Sequence, residues 1–410
     1  MNIPFSPPYI DDDVRREVLA ALDSGWITSG PRVLALEQLI AEKTEVDHTV
    51  CCSSATAGLM LMLHWYGVGP GDEVIIPAYT YAATALVVMH VGATPVMVDV
   101  GKDFNIDVSE VRKKISSKTK AIIPVDIGGW PCDYERLHVL INAPDIRKLF
   151  KAANDVQQRL GRVLLLADAA HSLGATYHSK PIGTWADFTV FSFHAVKNVT
   201  TAEGGAICIN LPAEFDHGQT YRQLKLWSLN GQTKDAFSKT VGGGWKYDIV
   251  YPGFKMNMPD VCAAIGLAQL RKYHSHILPE RRRVYQTYFD LLSQYSWAQL
   301  PVADSSENKS SYHLFPLRVK DITEDQRDAM IEFAKNADVS LNVHFQPLPM
   351  LTVFRERGYA ISDYPVAYAN YAREISLPVY PQLDQAKIQY IVDILEKAYH
   401  TVFKSSNIAL

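Results

Sequence analysis

Between about residue 30 and residue 210, short runs of apolar and β-branched residues alternate with segments whose apolar residues recur at helical spacing. Several of the short runs are apolar throughout, which is typical of parallel strands covered on both faces. This alternation predicts an α/β domain with a mostly parallel sheet between helices. The predicted strands are residues 48–53, 73–77, 94–99, 120–126, 162–168, 187–193 and 204–210.

The segments that flank this region show different patterns. Residues 11–25 predict a helix with Asp11 at its N-cap and Gly25 just beyond its last turn. Residues 211–257 are polar, contain a run of glycines at 242–244, and predict no regular element. The stretch 133–163 predicts a surface elaboration.

The C-terminal third predicts a smaller α+β domain. Its pattern gives a helical stretch broken by Pro279, then one strand and two further helices, at 259–293, 313–319, 323–337 and 384–402. A chain of 410 residues is too long for one compact core. We therefore predict an N-terminal helix with a large domain over residues 1–257 and a small C-terminal domain over residues 258–410.

Composition and charge narrow the class of protein. Apolar residues make up 48% of the chain and charged residues 20%, which is typical of a globular enzyme. The net charge is −4, and no basic stripe indicates binding to nucleic acid or to a membrane surface. The first residues lack the pattern of a secretory signal, and no apolar run reaches the length of a membrane span. The five cysteines fit neither a disulfide framework nor a metal site, so we expect a cytoplasmic protein without metal.

Candidate chemistry lies where predicted strands end, because ligands of open α/β sheets bind outside the carboxyl ends of the strands. The segment CSSATAG, residues 52–58, passes from a strand into a helix start, which favours an anion, although simple helix capping explains it as well. Asp168 ends a strand and His171 follows it. A carboxylate there could pair with a protonated pyridine nitrogen, and an ordinary polar loop residue is the alternative.

A lysine follows a neighbouring strand in mostly apolar company. Lys197 lies five residues after Ser192, and apolar surroundings favour a neutral, nucleophilic amine. Tyr81 opens the next helical pattern and could stack on a planar ring, or pack in the core. Together these positions supply an anion site, a stacking ring, a carboxylate, a hydroxyl and a lysine. Those are the parts needed to hold a phosphorylated pyridine aldehyde.

The order and spacing of these motifs resemble the DegT/StrS family of sugar-nucleotide aminotransferases, which are fold-type I enzymes of pyridoxal 5'-phosphate (PLP). The segment FSFHAVKNVTTAEGGAI is the most specific match, and the likeness runs from residue 24 to residue 381. Within the family, the branch that makes UDP-4-amino-4-deoxy-L-arabinose is the most similar. The other main matching stretches are SSATAG, GDEVIIPAYTYAATA, ADAAHSLGA and PGFKMNMPDVCAAIGLAQL.

The resemblance implies a role for each matching residue. Lys197 would bind PLP covalently, Asp168 would pair with the pyridine nitrogen, and His171 would lie near the ring hydroxyl. The residues that would hold the phosphate and stack on the ring are Ala55, Thr56, Ser192 and Tyr81.

The resemblance also implies a homodimer in which each subunit completes its neighbour's site. Lys255 and Asn257 lie in the matching segment GFKMNM, and we expect at least one of them to reach the cofactor or substrate phosphates of the partner. We expect at least one of Tyr247, His313 and His344 to line the sugar-nucleotide site, although ordinary packing explains these three equally well.

The implied reaction transfers an amino group, from glutamate, to a nucleotide-linked keto sugar, with the keto group at C4, for surface polysaccharide or modified-sugar biosynthesis. A PLP-dependent sugar dehydratase is the first alternative, but its relatives carry His where this chain has Lys197. A non-catalytic PLP-binding regulator and an amino-acid decarboxylase are further alternatives.

Overall fold

The computed structural model describes residues 2–234 and 246–406, so the glycines at 242–244 lie outside the described residues. Its strands form sheets of seven, three and two strands. The strands are β1 (His48–Cys52), β2 (Glu73–Pro77), β3 (Thr94–Val98), β4 (Thr119–Ile122), β5 (Leu164–Asp168), β6 (Thr176–Tyr177), β7 (Lys180–Pro181), β8 (Phe188–Ser192), β9 (Gly205–Ile209), β10 (Ala298–Gln299), β11 (Phe315–Val319) and β12 (Glu374–Leu377).

The seven-stranded sheet has the order β1-β9-β8-β5-β4-β2-β3. Only β9 is antiparallel to its neighbours, and the other six strands share one direction. The predicted mostly parallel sheet is confirmed, and each of its seven strands was predicted. The carboxyl ends of β1, β2, β5 and β8 therefore meet at one edge of the sheet.

Fifteen α-helices cover the sheets in the described part of the chain. They are α1 (Asp12–Asp23), α2 (Pro31–Thr44), α3 (Ala55–Trp65), α4 (Ala83–His90), α5 (Val108–Lys114), α6 (Tyr134–Asn142), α7 (Pro144–Leu149), α8 (Asp155–Leu160), α9 (His217–Trp227), α10 (Asp260–Arg271), α11 (Leu278–Leu292), α12 (Glu324–Asn336), α13 (Thr352–Arg355), α14 (Pro365–Tyr371) and α15 (Gln385–Ser406). No helix among the described residues is both long and apolar enough to cross a membrane.

The helix termini follow the sequence signals closely. Asp11 caps α1 by accepting a hydrogen bond from the backbone N–H of Val14, as predicted, and Gly25 has a φ of 68° just beyond the helix. The break predicted at Pro279 takes another form. A π-helical turn at Tyr273–Ile277 separates α10 from α11, and Pro279 lies in the first turn of α11, where its missing N–H is tolerated.

The prediction that 211–257 contains no regular element was wrong, and the prediction of a surface elaboration at 133–163 was incomplete. The stretch 211–257 contains α9, which buries Thr220, Leu224 and Trp227 at helical spacing, a pattern hidden by its many polar residues. The stretch 133–163 is not only a surface elaboration, because α6 buries Leu137 and Leu140 in the core beside the large sheet.

Apolar side chains form two core clusters, one on each face of the large sheet, and a third around the three-stranded sheet. The alternation within β2 shows this directly, since Val74 and Ile76 belong to one cluster and Ile75 to the other. The division into domains at residue 257 stays a prediction. The buried side chains of α10 belong to a cluster of the large sheet, which favours a boundary after that helix.

Candidate active site

A cavity of about 450 Å³ opens at the sheet edge where β1, β2, β5 and β8 end. Its lining includes the last residues of β5 and β8, the start of α3, and residues 313, 344 and 345 from the C-terminal part of the chain. The structure brings nine of the twelve predicted site residues into this one lining: Ala55, Thr56, Tyr81, Asp168, His171, Ser192, Lys197, His313 and His344.

One end of the cavity is formed by the N-terminus of α3. The Ser54 hydroxyl accepts a hydrogen bond of 3.0 Å from Ala57, which leaves the first two N–H groups of the helix, those of Ala55 and Thr56, without an intrahelical partner. A Cβ on Gly205 would lie 2.6 Å from the backbone nitrogen of Ala55, so only glycine lets β9 pack this closely against the helix start. With Ser192 on the same lining, this end suits a phosphate.

Asp168 stands at the end of β5 and is 6% exposed. Its Oδ2 accepts a hydrogen bond of 2.8 Å from the Thr84 hydroxyl, and its Oδ1 accepts one of 3.3 Å from the backbone of Ala170. Burial raises the pKa of the Asp168 carboxyl, and the bond from Thr84 works against that rise. A protonated ring nitrogen would compensate the buried carboxylate. Thr84 was not among the predicted site residues, although its position in the first turn after Tyr81 places it near this edge.

Lys197 lies in the turn that follows β8, and its backbone N–H donates 2.9 Å to the carbonyl of His194. The residue is half-buried, with its side chain in the cavity lining. Loss of hydration lowers the pKa of the Lys197 amine to about 8, and the negative charge of Asp168 opposes this shift. The chain therefore presents an amine that is partly neutral near physiological pH.

Two neutral histidines form another part of the lining. The backbone N–H of Gly128 donates 3.2 Å to Nδ1 of His171, so the hydrogen of that ring is on Nε2. The amide nitrogen of Asn198 donates to other groups, so its oxygen accepts from Nδ1 of His313 at 2.9 Å, and Nε2 of His313 carries a lone pair. The two rings lie 4.5 Å apart between centroids. Burial holds the pKa of both rings well below the usual range of histidine.

Aromatic rings form the mouth of the cavity. Tyr81 is 63% exposed, and its ring centroid lies 5.8 Å from that of Phe345. His344 stacks on Phe5 at 5.3 Å. The N-terminal segment thus contributes Phe5 and Ser6 to the lining, which the sequence analysis did not predict. The open ring of Tyr81 is placed to cover a planar ligand.

The other three predicted residues are not among the residues that line this cavity. Tyr247 is 52% exposed. Lys255 is exposed, and its backbone forms an isolated antiparallel β-bridge with Leu229 of the same chain. Asn257 donates a hydrogen bond of 2.6 Å to the Ser29 hydroxyl. Their expected roles toward a ligand stay predictions, and for Lys255 and Asn257 they involve a second subunit.

The residues of the cavity fit PLP in their chemistry. The N–H groups at the start of α3 suit its phosphate, buried Asp168 suits its ring nitrogen, and the partly neutral amine of Lys197 suits its aldehyde. These three groups surround a single cavity of adequate size.

Comparison with known proteins agrees with this geometry. SpsC of Bacillus subtilis, a spore coat polysaccharide biosynthesis protein, is 32% identical over 396 residues, which cover 95% of each chain. Spr1654 of Streptococcus pneumoniae, described as a sugar aminotransferase, superposes in its PMP form with a TM-score of 0.94 at 41% identity, over 99% of this chain and 100% of that chain. Its PLP form superposes with a TM-score of 0.93 at the same identity, over 98% and 100%.

A more distant structure is PseC of Helicobacter pylori, an aminotransferase involved in the biosynthesis of pseudoaminic acid. It has a TM-score of 0.83 at 26% identity, over 98% of this chain and 100% of that chain. The profile of the DegT/DnrJ/EryC1/StrS aminotransferase family matches residues 8–396. This chain therefore belongs to the DegT/DnrJ/EryC1/StrS aminotransferase family, and its cofactor is PLP.

Proposed function

We propose that this enzyme transfers an amino group from glutamate to a nucleotide-linked 4-keto sugar, in the synthesis of a polysaccharide or a modified sugar. The observation that carries the proposal is the placement of Lys197, Asp168 and the N-terminus of α3 around one cavity. The name of the relative SpsC supports the polysaccharide context. The likeness to the branch that makes UDP-4-amino-4-deoxy-L-arabinose favours a UDP-linked sugar.

Bound PLP supplies an electron sink, into which charge from the carbon that loses a proton can spread. The Asp168 carboxylate holds a proton on the ring nitrogen. The start of α3 and the Ser192 hydroxyl bind the phosphate and so fix the position of the ring. Once the amino donor has displaced it from PLP, the free amine of Lys197 would take the proton from the α-carbon of the donor and pass it to the cofactor. With the keto sugar the same amine would move a proton in the opposite direction.

The charge of the cavity supports a shared active site. Among the lining residues that the structure describes, Lys197 carries the only lysine or arginine side chain, whereas Asp168 and Glu203 are acidic. A nucleotide diphosphate and the donor's carboxylates would add several negative charges. We propose that Lys255 or Asn257 of a second subunit binds these groups, Lys255 by its positive charge and Asn257 by hydrogen bonds from its neutral amide.

Exposed apolar side chains support the homodimer. Four of them lie on α1, on α2 and on the segment between these helices, and they would be costly to leave in water: Leu19, Leu22, Ile27 and Leu34. A second copy of the chain would cover them. We also propose that the enzyme is cytoplasmic, because all five cysteines are free and four of them are buried.

Amine formation over a panel of UDP-, dTDP- and GDP-linked keto sugars, with glutamate as donor, tests the substrate class. We expect turnover of a UDP-linked 4-keto sugar. Turnover of free keto acids alone, with none of the sugar nucleotides accepted, would refute the proposal.

Mixing two inactive variants tests the shared site. In a dimer that combines Lys197→Ala with Lys255→Ala, one of the two sites keeps both lysines if the sites are shared. Random mixing in equal amounts should then restore about a quarter of the wild-type activity at subsaturating sugar nucleotide. The absence of any restoration, with mixed dimers confirmed by mass spectrometry, would show that Lys255 acts on its own subunit, and full activity of Lys255→Ala alone would show that it acts on neither.

A further inference from the structure

A row of hydrogen-bonded side chains runs from the cavity into the three-stranded sheet. Nδ1 of His344 lies 2.9 Å from the hydroxyl of Ser376, which in turn donates to Oε1 of Glu374. The second carboxyl oxygen, Oε2, accepts a hydrogen bond of 3.1 Å from the backbone N–H of His344. Ser376 and Glu374 are fully buried on β12, whereas His344 lines the cavity. The row therefore connects the cavity with an interior carboxyl group.

The ring of His344 is held in one orientation. It stacks on Phe5 at 5.3 Å with an interplanar angle of 24°, and it meets Phe345 edge-on at 4.9 Å. Its Nδ1 is engaged by Ser376. Within the described ranges, no hydrogen bond uses its Nε2, so this atom is available to a ligand in the cavity.

The hydroxyl between the two ends carries a single hydrogen, so the row has two arrangements. When Glu374 is ionised, Ser376 donates to it and accepts from Nδ1–H of His344, and Nε2 carries a lone pair. When Glu374 is protonated, its carboxyl donates to Ser376, the hydroxyl donates to Nδ1, and Nε2 carries the hydrogen. The state of the carboxyl is thus coupled to the tautomer of the ring.

We infer that Glu374, acting through Ser376, determines whether Nε2 of His344 faces the cavity as a hydrogen-bond acceptor or as a donor. Both are positioning residues, since neither lines the cavity. The inference rests on the proposed function only in naming the ligand of Nε2, which is a hydroxyl or carbonyl oxygen of the keto sugar. A hydroxyl requires the acceptor form, and a carbonyl requires the donor form.

The groups around Glu374 allow both its ionised and its protonated form. Burial raises the pKa of the Glu374 carboxyl to about 8. This net value already includes the opposing effects of the hydrogen bonds from Ser376 and the His344 backbone and of the positive charges of Arg327 and Arg318. Tyr79 also faces this carboxyl, and its hydroxyl donates 2.7 Å to the carbonyl of His344. Both the ionised and the protonated form of Glu374 are therefore populated at pH values near 8.

The ring itself stays neutral throughout that range. Burial lowers the pKa of His344 to about 3, and the positive charge of Lys197 acts in the same direction. The neighbouring rings of His171 and His313 are neutral as well. Ionisation of Glu374 therefore changes the position of the hydrogen on His344 but not the charge of its ring.

Nitrogen NMR of the PLP-loaded enzyme, labelled with ¹⁵N at histidine, tests the inference, because the two tautomers have distinct ring-nitrogen shifts. The signals of His344 are identified by their loss in His344→Gln. In the wild type we expect the hydrogen on Nε2 at low pH, moving to Nδ1 as the pH rises through about 8.

Two variants should change this behaviour in different ways. In Glu374→Gln, the amide oxygen must accept from the backbone N–H of His344, so the NH₂ group donates to Ser376 and the hydrogen stays on Nε2 at every pH. In Ser376→Ala, the ring should lose its response to pH. Ser228→Ala removes another buried hydroxyl, which bonds only to the carbonyl of Lys225, and should behave as the wild type.

An unchanged tautomer and pH response in both variants would overturn the inference. If Glu374→Gln fails to fold, Ser376→Ala alone decides, since its small side chain leaves the strand packing nearly intact. No sugar nucleotide is present in the measurement. An enzyme that turned out to use another substrate would therefore leave the NMR result unaffected, so the two proposals can fail independently.

Discussion

Replacement of Lys197 by arginine separates the covalent role of this residue from its charge. Arginine keeps a positive charge at the position but cannot be deprotonated in a protein, so it cannot attack an aldehyde. We expect Lys197→Arg to fold and to bind PLP through its phosphate, because the start of α3 and Ser192 are unchanged. Covalent attachment and amino transfer should both be lost.

The structure gives the size of the advantage that the native lysine has. With the pKa of Lys197 lowered to about 8, about a quarter of the amine is neutral at pH 7.5. A lysine with the usual pKa of 10.5 is about 0.1% neutral at that pH, so burial increases the reactive fraction by about two orders of magnitude. Loss of proton transfer by this amine should by itself lower the rate by about 10²–10⁴-fold.

Three measurements check the prediction. The wild type should show a visible absorbance band of lysine-bound PLP, borohydride should fix the cofactor to the peptide that contains Lys197, and amine formation should be measurable. Lys120→Arg is the matched control, because Lys120 is buried but lies outside the cavity. It should keep the band and the label. Label on any other lysine, or full turnover in Lys197→Arg, would refute the reasoning.

Three further predictions concern pH, the ring nitrogen and the phosphate. The rate at which the apoenzyme binds PLP covalently, measured by absorbance, should increase as the pH rises through about 8, because only the deprotonated amine of Lys197 reacts. A rate that does not depend on pH from about 6.5 to 9 would contradict this prediction. Asp168→Asn should lower turnover by about 10- to 100-fold in a steady-state assay, because it removes the buried charge-assisted hydrogen bond to the ring nitrogen of PLP. Thr84→Val, which removes only the hydrogen bond to Asp168, should lower turnover less. Gly205→Ala should weaken PLP binding, measured by equilibrium dialysis, because the new Cβ would lie 2.6 Å from the backbone nitrogen of Ala55 and displace the start of α3. An unchanged affinity for PLP would contradict this role of the helix start.

The large sheet was predictable because its strands are buried on both faces and are therefore apolar along their length. Helix α9 was not predictable in the same way, since only three of its eleven residues are buried and the polar majority conceals the pattern. The π-helical turn at Tyr273–Ile277 has no local signal comparable to a proline, so the break was assigned to Pro279.

The sequence predicts those residues of the cavity that lie at the end of a strand or directly after one. Asp168 and Lys197 share an edge because β5 and β8 are parallel neighbours, which local patterns already suggested. The partners of these residues depend on tertiary contacts that no local pattern encodes, as with Thr84 beside Asp168. The sequence does give one indication of Glu374 and Ser376. They are polar residues at alternate positions of a buried strand, so they share a face and need hydrogen-bond partners inside the protein.

Three histidines of the cavity, His171, His313 and His344, and its lysine divide the chemistry between them. Burial keeps all three rings neutral, so they can offer only donors or acceptors: a donor at Nε2 of His171 and an acceptor at Nε2 of His313. Lys197, with a pKa near 8, can gain or lose a proton at working pH. Neutral donors and acceptors bind the oxygen atoms of a ligand through the direction of their hydrogen bonds, and they add no charge that would attract or repel charged groups of the ligand. The proton that the reaction moves then has one carrier, and the histidines are left to position the oxygens of the ligand around it.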